Sequence, residues 1–103
     1  DVLVVVFATC SEDLASAGGT VEVGISGNTA GLIAQTTATT IDTGEIWTDA
    51  TPTTIEALVT SPRILAAGAD IMITVASADV TDGTLAFYCL WRPLSNDGNV
   101  RAV

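Results

Sequence analysis

Apolar and polar positions alternate with period two along most of this chain, the spacing of strands that bury one face. From Thr20 to Ile25, the side chains of Val21, Val23 and Ile25 fall on one side, with Thr20, Glu22 and Gly24 opposite. Ser26-Gly27-Asn28-Thr29 follows, and its Gly and Asn suit a tight hairpin turn into a second apolar run from Gly31 to Gln35. These two strands are expected to pair. Ile55, Ala57 and Val59 alternate with Glu56 and Leu58 until Ser61-Pro62 interrupts, because proline supplies no N–H to a ladder. Ile64 and Leu65 lead into a turn at Ala66 to Asp70, after which Ile71, Ile73 and Val75 alternate with Met72, Thr74 and Ala76. A turn from Ser77 to Gly83 joins that strand to a last one, Thr84 to Arg92.

Two segments are apolar on both faces. In Thr84 to Arg92, one side carries Leu85, Phe87, Cys89 and Trp91, and the other carries Ala86, Tyr88 and Leu90. Val2 to Phe7 has the same character, so both read as central strands, and as neighbours they would bring Cys10 towards Cys89. Ser11 to Ala17 is the one stretch with helical potential, with Ser11 as a cap and Glu12 and Asp13 in a first turn, stopped by Gly18-Gly19. The Thr-rich stretch from Gln35 to Thr43 fits either a strand or a long connection.

Seven or eight short strands with turns every 8 to 12 residues indicate an all-β chain, an antiparallel β-sandwich of jelly-roll-like or barrel-like form. Its 103 residues fit one domain, residues 1–103, which at this size buries roughly 60–70% of its unfolded surface. No βαβ spacing is present, which removes the parallel-sheet folds and their nucleotide sites. The chain starts at Asp1 without methionine and reads as a processed or trimmed form. Val2 to Ala8 is too short for a membrane span, which takes about 20 apolar residues, and lacks the basic flank of a signal peptide.

Charge narrows the partners. Lys and Arg number 3 against 12 Asp and Glu, for a net −9, and Arg63, Arg92 and Arg101 are scattered. Neither a nucleic acid nor an anionic membrane is an expected partner. There is no histidine, so no Ser-His-Asp or Cys-His arrangement can be assembled. Cys10 and Cys89 lack CxxC or His partners, which leaves a disulfide closing a long loop or two free thiols buried in adjacent strands. A carboxylate pair for glycosidase chemistry would have to come from Glu12, Glu22, Glu45, Asp49, Glu56 and Asp70, in a chain with little room for a cleft. Asp42, Glu45 and Asp49 cluster, as do Asp79 and Asp82 beside Gly83, but without the spacing of a calcium loop; they read as caps of turns. No catalytic, cofactor or metal residue is expected. Trp91 shares a face with Leu85 and Phe87 and reads as core, whereas the neighbours of Trp47 do not say which way it points.

Gly27 to Ala34, then Gly44-Glu45-Ile46-Trp47 with Asp49-Ala50-Thr51-Pro52, then Phe87 to Ser95 resemble, in order and texture, small virion proteins of tailed bacteriophages. The resemblance covers roughly residues 20 to 98. It implies a non-enzymatic head decoration or cement protein on the capsid surface, bound to the major capsid protein or other virion proteins. It also implies an oligomer, often a trimer, and in many such families an N-terminal arm that augments a capsid sheet. By residue type, Trp47, Arg92 and Leu94 are the candidate interface residues: a large aromatic, an arginine and an apolar residue after Pro93. The rival expectations are a glycan-binding β-sandwich of a fibre or secreted protein, with Trp47 or Tyr88 exposed, and a tail- or portal-associated adaptor.

Overall fold

The structure is a computed structural model that describes residues 1–54 and 63–101; the alternating run at 55–59 and Ser61-Pro62 lie outside the described residues. Among the described residues, seven strands run in chain order: β1 (Val2–Ser16), β2 (Thr20–Ile25), β3 (Asn28–Thr37), β4 (Ile46–Trp47), β5 (Arg63–Leu65), β6 (Met72–Ala76) and β7 (Val80–Pro93). They form two antiparallel sheets packed as a β-sandwich.

The first sheet is organised by β1. Its side chains from Val2 to Cys10 alternate without exception between buried and half-buried. β7 pairs along nearly the whole of one edge, from Val2 opposite Pro93 to Ser16 opposite Val80. The other edge is shared end to end by β5, at Val2–Val4, and β4, at Ala8–Thr9. In the second sheet β2 is central, between β3 and β6. The β2–β3 hairpin turns at Ser26-Gly27 as its sequence predicts, and Gly24 is required there: a Cβ would stand 2.1 Å from the Asn28 carbonyl oxygen.

Between the sheets, Val6, Ala8, Cys10 and Leu14 of β1 pack with Val21 and Val23 of β2, Ile33 of β3, and Ile41. A smaller cluster of Val2, Val4 and Leu65 joins this core through Leu32, Ile71 and Cys89. Trp47 closes the flank. It is fully buried, and its indole Nε1–H donates to Thr36 Oγ1 at 2.8 Å, so its one polar atom is satisfied. Ala8 lies between Trp47 and Phe87 in the ladder, and its small side chain lets the two rings meet edge to face at 6.1 Å.

Three expectations need correction. Ser11 to Ala17 is not helical: β1 continues to Ser16 with register shifts between Cys10 and Ser16. A seven-residue helix is marginal alone, whereas here the extended chain bonds widely. Cys10 N–H donates to Glu45 O and Leu14 N–H to Ile41 O, and the Asp13 carboxylate accepts both the N–H and the hydroxyl of Thr43. The bulges turn Leu14 back into the core. The last strand begins at Val80, and it is not central: among the described residues its only neighbour is β1. Trp91, expected in the core, is consequently 43% exposed, because β7 overhangs the rim of the sandwich. The undecided stretch from Gln35 divides into the end of β3 and a short 3-10 turn, Ala38–Thr40.

Replacing Trp47 by Ala removes the flank of the core and leaves Thr36 Oγ1 without its donor. The expected loss is about 3–5 kcal/mol, read from guanidinium unfolding midpoints.

Candidate interaction surface

The outward side of the first sheet is built from the half of each strand that does not face the core. On β1 these are Leu3, Val5, Phe7 and Thr9; β7 adds Ala86, Tyr88, Leu90 and Arg92 in register with them, and β5 adds Ile64 opposite Leu3. Phe7 and Tyr88, directly opposite each other, stack with centroids 5.1 Å apart and planes 17° from parallel. Ile64, Tyr88 and Leu90 are all exposed, at 67%, 48% and 51%. Together with the half-buried side chains of β1 they make an apolar patch of roughly 400 Å², the size of the largest patch on a typical monomer, which is often a functional one.

The outward side of the second sheet is mainly polar, with Met72, opposite Gly24, its exposed apolar exception. Thr20, Glu22, Gln35 and Thr74 occupy it, and the Glu22 carboxylate, almost wholly buried, accepts from Thr29 Oγ1 at 2.5 Å and Gln35 Nε2 at 3.3 Å.

Charge marks the two ends of the apolar side. Arg92 is exposed near one end of β7. At the other, Glu12 faces the carboxyl group of Asp82, and hydrogen bonding with Asp82, followed by its negative charge, raises the Glu12 pKa. Other carboxylates are occupied in turns: Glu45 accepts from Asp42 N–H at 2.7 Å, Asp49 from Thr51 N–H at 2.8 Å, and Asp82 also from Gly83 N–H at 2.9 Å. No group of three or more metal-ligating side chains converges among the described residues. A cavity of about 610 Å³ at the end of the sandwich is lined by Val2, Leu65 to Ile71 and Asp97 to Arg101, without a nucleophile and base in contact.

Of the three interface candidates, Trp47 is removed by its burial. Arg92 lies on the apolar side of the first sheet, and Leu94 is 51% exposed just past the end of β7, its N–H bonded to Asp1 O at 2.9 Å. Leu90, Phe7 and Ile64 are not among the residues the sequence points to, and Tyr88 enters there only as a glycan platform, with its exposure as expected. Their signal, apolarity on both faces of two strands, was present but pointed equally to burial within the chain.

Cys10 and Cys89 do lie on paired strands, but Cys10 opposes Leu85 and Cys89 opposes Val6. That offset separates them by about 13 Å along the sheet, and both are free thiols. Burial raises the pKa of each, and the Cys10 thiol donates to Glu12 O at 3.0 Å.

Comparison of the chain with protein families, with characterised proteins and with solved structures finds no match in any of the three.

Two outcomes are expected. A raised carboxyl pKa means that the folded state holds that proton more tightly than the unfolded chain, so the Glu12–Asp82 repulsion weakens the fold at neutral pH and is relieved as pH falls through the raised value. Glu12→Gln therefore raises Tm at pH 7, and the gain shrinks towards pH 4. Titration with Ellman's reagent at pH 8 finds both thiols slower than free cysteine, with the buried Cys10 slower than the half-buried Cys89.

Proposed function

We propose that this chain is a non-enzymatic structural protein of a tailed-phage virion, a head decoration or cement protein. It holds to the assembled capsid by its apolar sheet face. The observation that carries this reading is the unequal finish of the sandwich: one outer face is mainly polar and internally hydrogen-bonded, with Met72 as its exposed apolar side chain, and the other presents Ile64, Tyr88 and Leu90 around the Phe7–Tyr88 stack. A surface of that kind marks a protein contact, and its aromatic centre with a neighbouring arginine has the composition of an interface core. The net charge of −9 keeps the other surfaces soluble. The resemblance in order and texture to small virion proteins suggests the setting, and the binding partner in this reading is the major capsid protein or a neighbouring virion protein.

A glycan-binding role draws support from one feature, the exposed ring of Tyr88. That ring lies against Phe7 in a flat apolar sheet rather than in a polar cleft, and Trp47, the other platform considered, is inside the core.

The test is co-sedimentation with empty capsids. The protein is expected to pellet with them, and Ile64→Glu and Leu90→Glu, both at exposed positions, should each weaken binding roughly tenfold or more while circular dichroism stays unchanged. A wild-type chain that stays in the supernatant and binds on a glycan array would replace this reading with the glycan one.

A further inference from the structure

We propose that a second copy of this chain pairs with the free edge of β7, antiparallel and about a two-fold axis at Phe87, so that the two first sheets become one continuous sheet.

The far edge of β7 meets no other strand among the described residues. Long edge strands in natural proteins are usually blunted by lysine, by an inward charge, by a bulge or by proline within the strand. β7 has none of these between Leu85 and Arg92. The chain contains no lysine, Pro93 stands at the very end, and the pairing with β1 runs unbroken from Val2–Pro93 to Cys10–Leu85, with shifts only beyond it. An edge left so regular is shaped for a strand.

The side chains at that edge lack cover as well. Phe87 and Trp91 point to the core side of the first sheet, in register with buried Ala8 and Val4, yet are 45% and 43% exposed. Tyr88 and Leu90, on the outer side, are equally bare. The bare parts of Phe87 and Trp91, the edge-facing flanks of Tyr88 and Leu90 and the strand backbone amount to on the order of 500 Å² per copy, or ~1,000 Å² in all, the lower bound of a specific interface, and leave the outward sides of Tyr88 and Leu90 uncovered.

Charge identifies the occupant. Two copies at −9 each repel, so a contact between them must bring cations to carboxylates. A two-fold axis perpendicular to the sheet keeps like faces on the same side, and residues opposite each other then have position numbers with an even sum. With the axis at Phe87, Arg92 comes opposite Asp82 of the second copy, beside its Glu12, and the symmetry makes the same pair again at the other end. The apolar centre and the oppositely charged ends of β7 are thus complementary to themselves. This contact uses the edge of the sheet, so it holds whatever the outer face docks against, and it yields a dimer where the resemblance to virion proteins implies a trimer.

Sedimentation velocity on the full chain tests it. The wild type is expected to be a dimer at micromolar concentration. Arg92→Asp should raise the dissociation constant roughly tenfold or more by setting two carboxylates face to face, and the double variant Arg92→Asp with Asp82→Arg should restore the dimer. Ile64→Glu, at the opposite flank of the sheet, should leave it intact. A chain that is monomeric at all concentrations overturns the proposal. So does any oligomer, a trimer included, whose stability ignores both the single and the double charge reversal.

Discussion

Everything in this fold is measured from β1. Its nine alternating positions from Val2 to Cys10 use both faces and both edges of one strand: inward side chains make the core, one edge carries β7, and the other carries β4 and β5 in tandem. A slip of one residue would turn Val4, Val6, Ala8 and Cys10 outward and expose the interior, so the register is held by burial rather than by any single bond. The same alternation sets the long-range geometry. Ala8 is small enough for Trp47 and Phe87 to meet across it, and Phe7, one position earlier, is aimed outward onto Tyr88. Core and outer patch are two readings of one strand.

The two outer faces are in the same solvent and belong to the same small chain, yet they are finished differently. On the second sheet a buried carboxylate is supplied with a hydroxyl and an amide donor from its own hairpin, an arrangement complete without a partner. On the first, the outward residues are apolar where a strand exposed to water can carry threonine or charge at no cost to the core. Isolated exposed apolar residues need no explanation, but a contiguous set spanning β5, β1 and β7 does. The charges that do occur on this side, Arg92 and the Glu12–Asp82 pair, lie at its ends and leave the middle clear.

β2 and β3 with the Ser26-Gly27 turn were legible because alternation and turn chemistry report the burial of one face directly, whereas β6 stands where alternation places it but leaves Ile73 and Val75 nearly half exposed at the edge of its sheet. β7 was legible as a strand and misread as a central one. Apolarity on both faces reads as burial within the chain, but among the described residues β7 pairs with β1 alone, and Phe87, Tyr88, Leu90 and Trp91 stay nearly half exposed. Trp47 belongs to a two-residue strand, too short for any period, and its burial is decided by Ala8 and Thr36, which are remote in sequence. The helix expected after Ser11 failed for a related reason. Its acidic first turn is a local signal, and the groups that claim Asp13 and Leu14, Thr43 and Ile41, arrive from about 30 residues away.

What remains is how such a surface could hold a partner. The polar groups offer little: the carboxylates described above are engaged in turns or with one another, and both thiols are held protonated by burial. The free energy must come from apolar area. About 400 Å² at ~25 cal/mol/Å² is ~10 kcal/mol gross, of the same size as the 4–15 kcal/mol that association costs. One copy alone would therefore hold weakly. Pairing through β7 about an axis perpendicular to the sheet changes this, because it sets both outer faces on the same side of one sheet. Once the first face is seated, the second binds at an effective concentration fixed by the dimer, and avidity can exceed the single-site affinity by about 10²–10⁴ without any new contact. On a repeating surface such as a capsid, where equivalent sites recur at fixed spacing, a weak face doubled in this way is sufficient, and the edge of β7 is what decides how far apart the two faces stand.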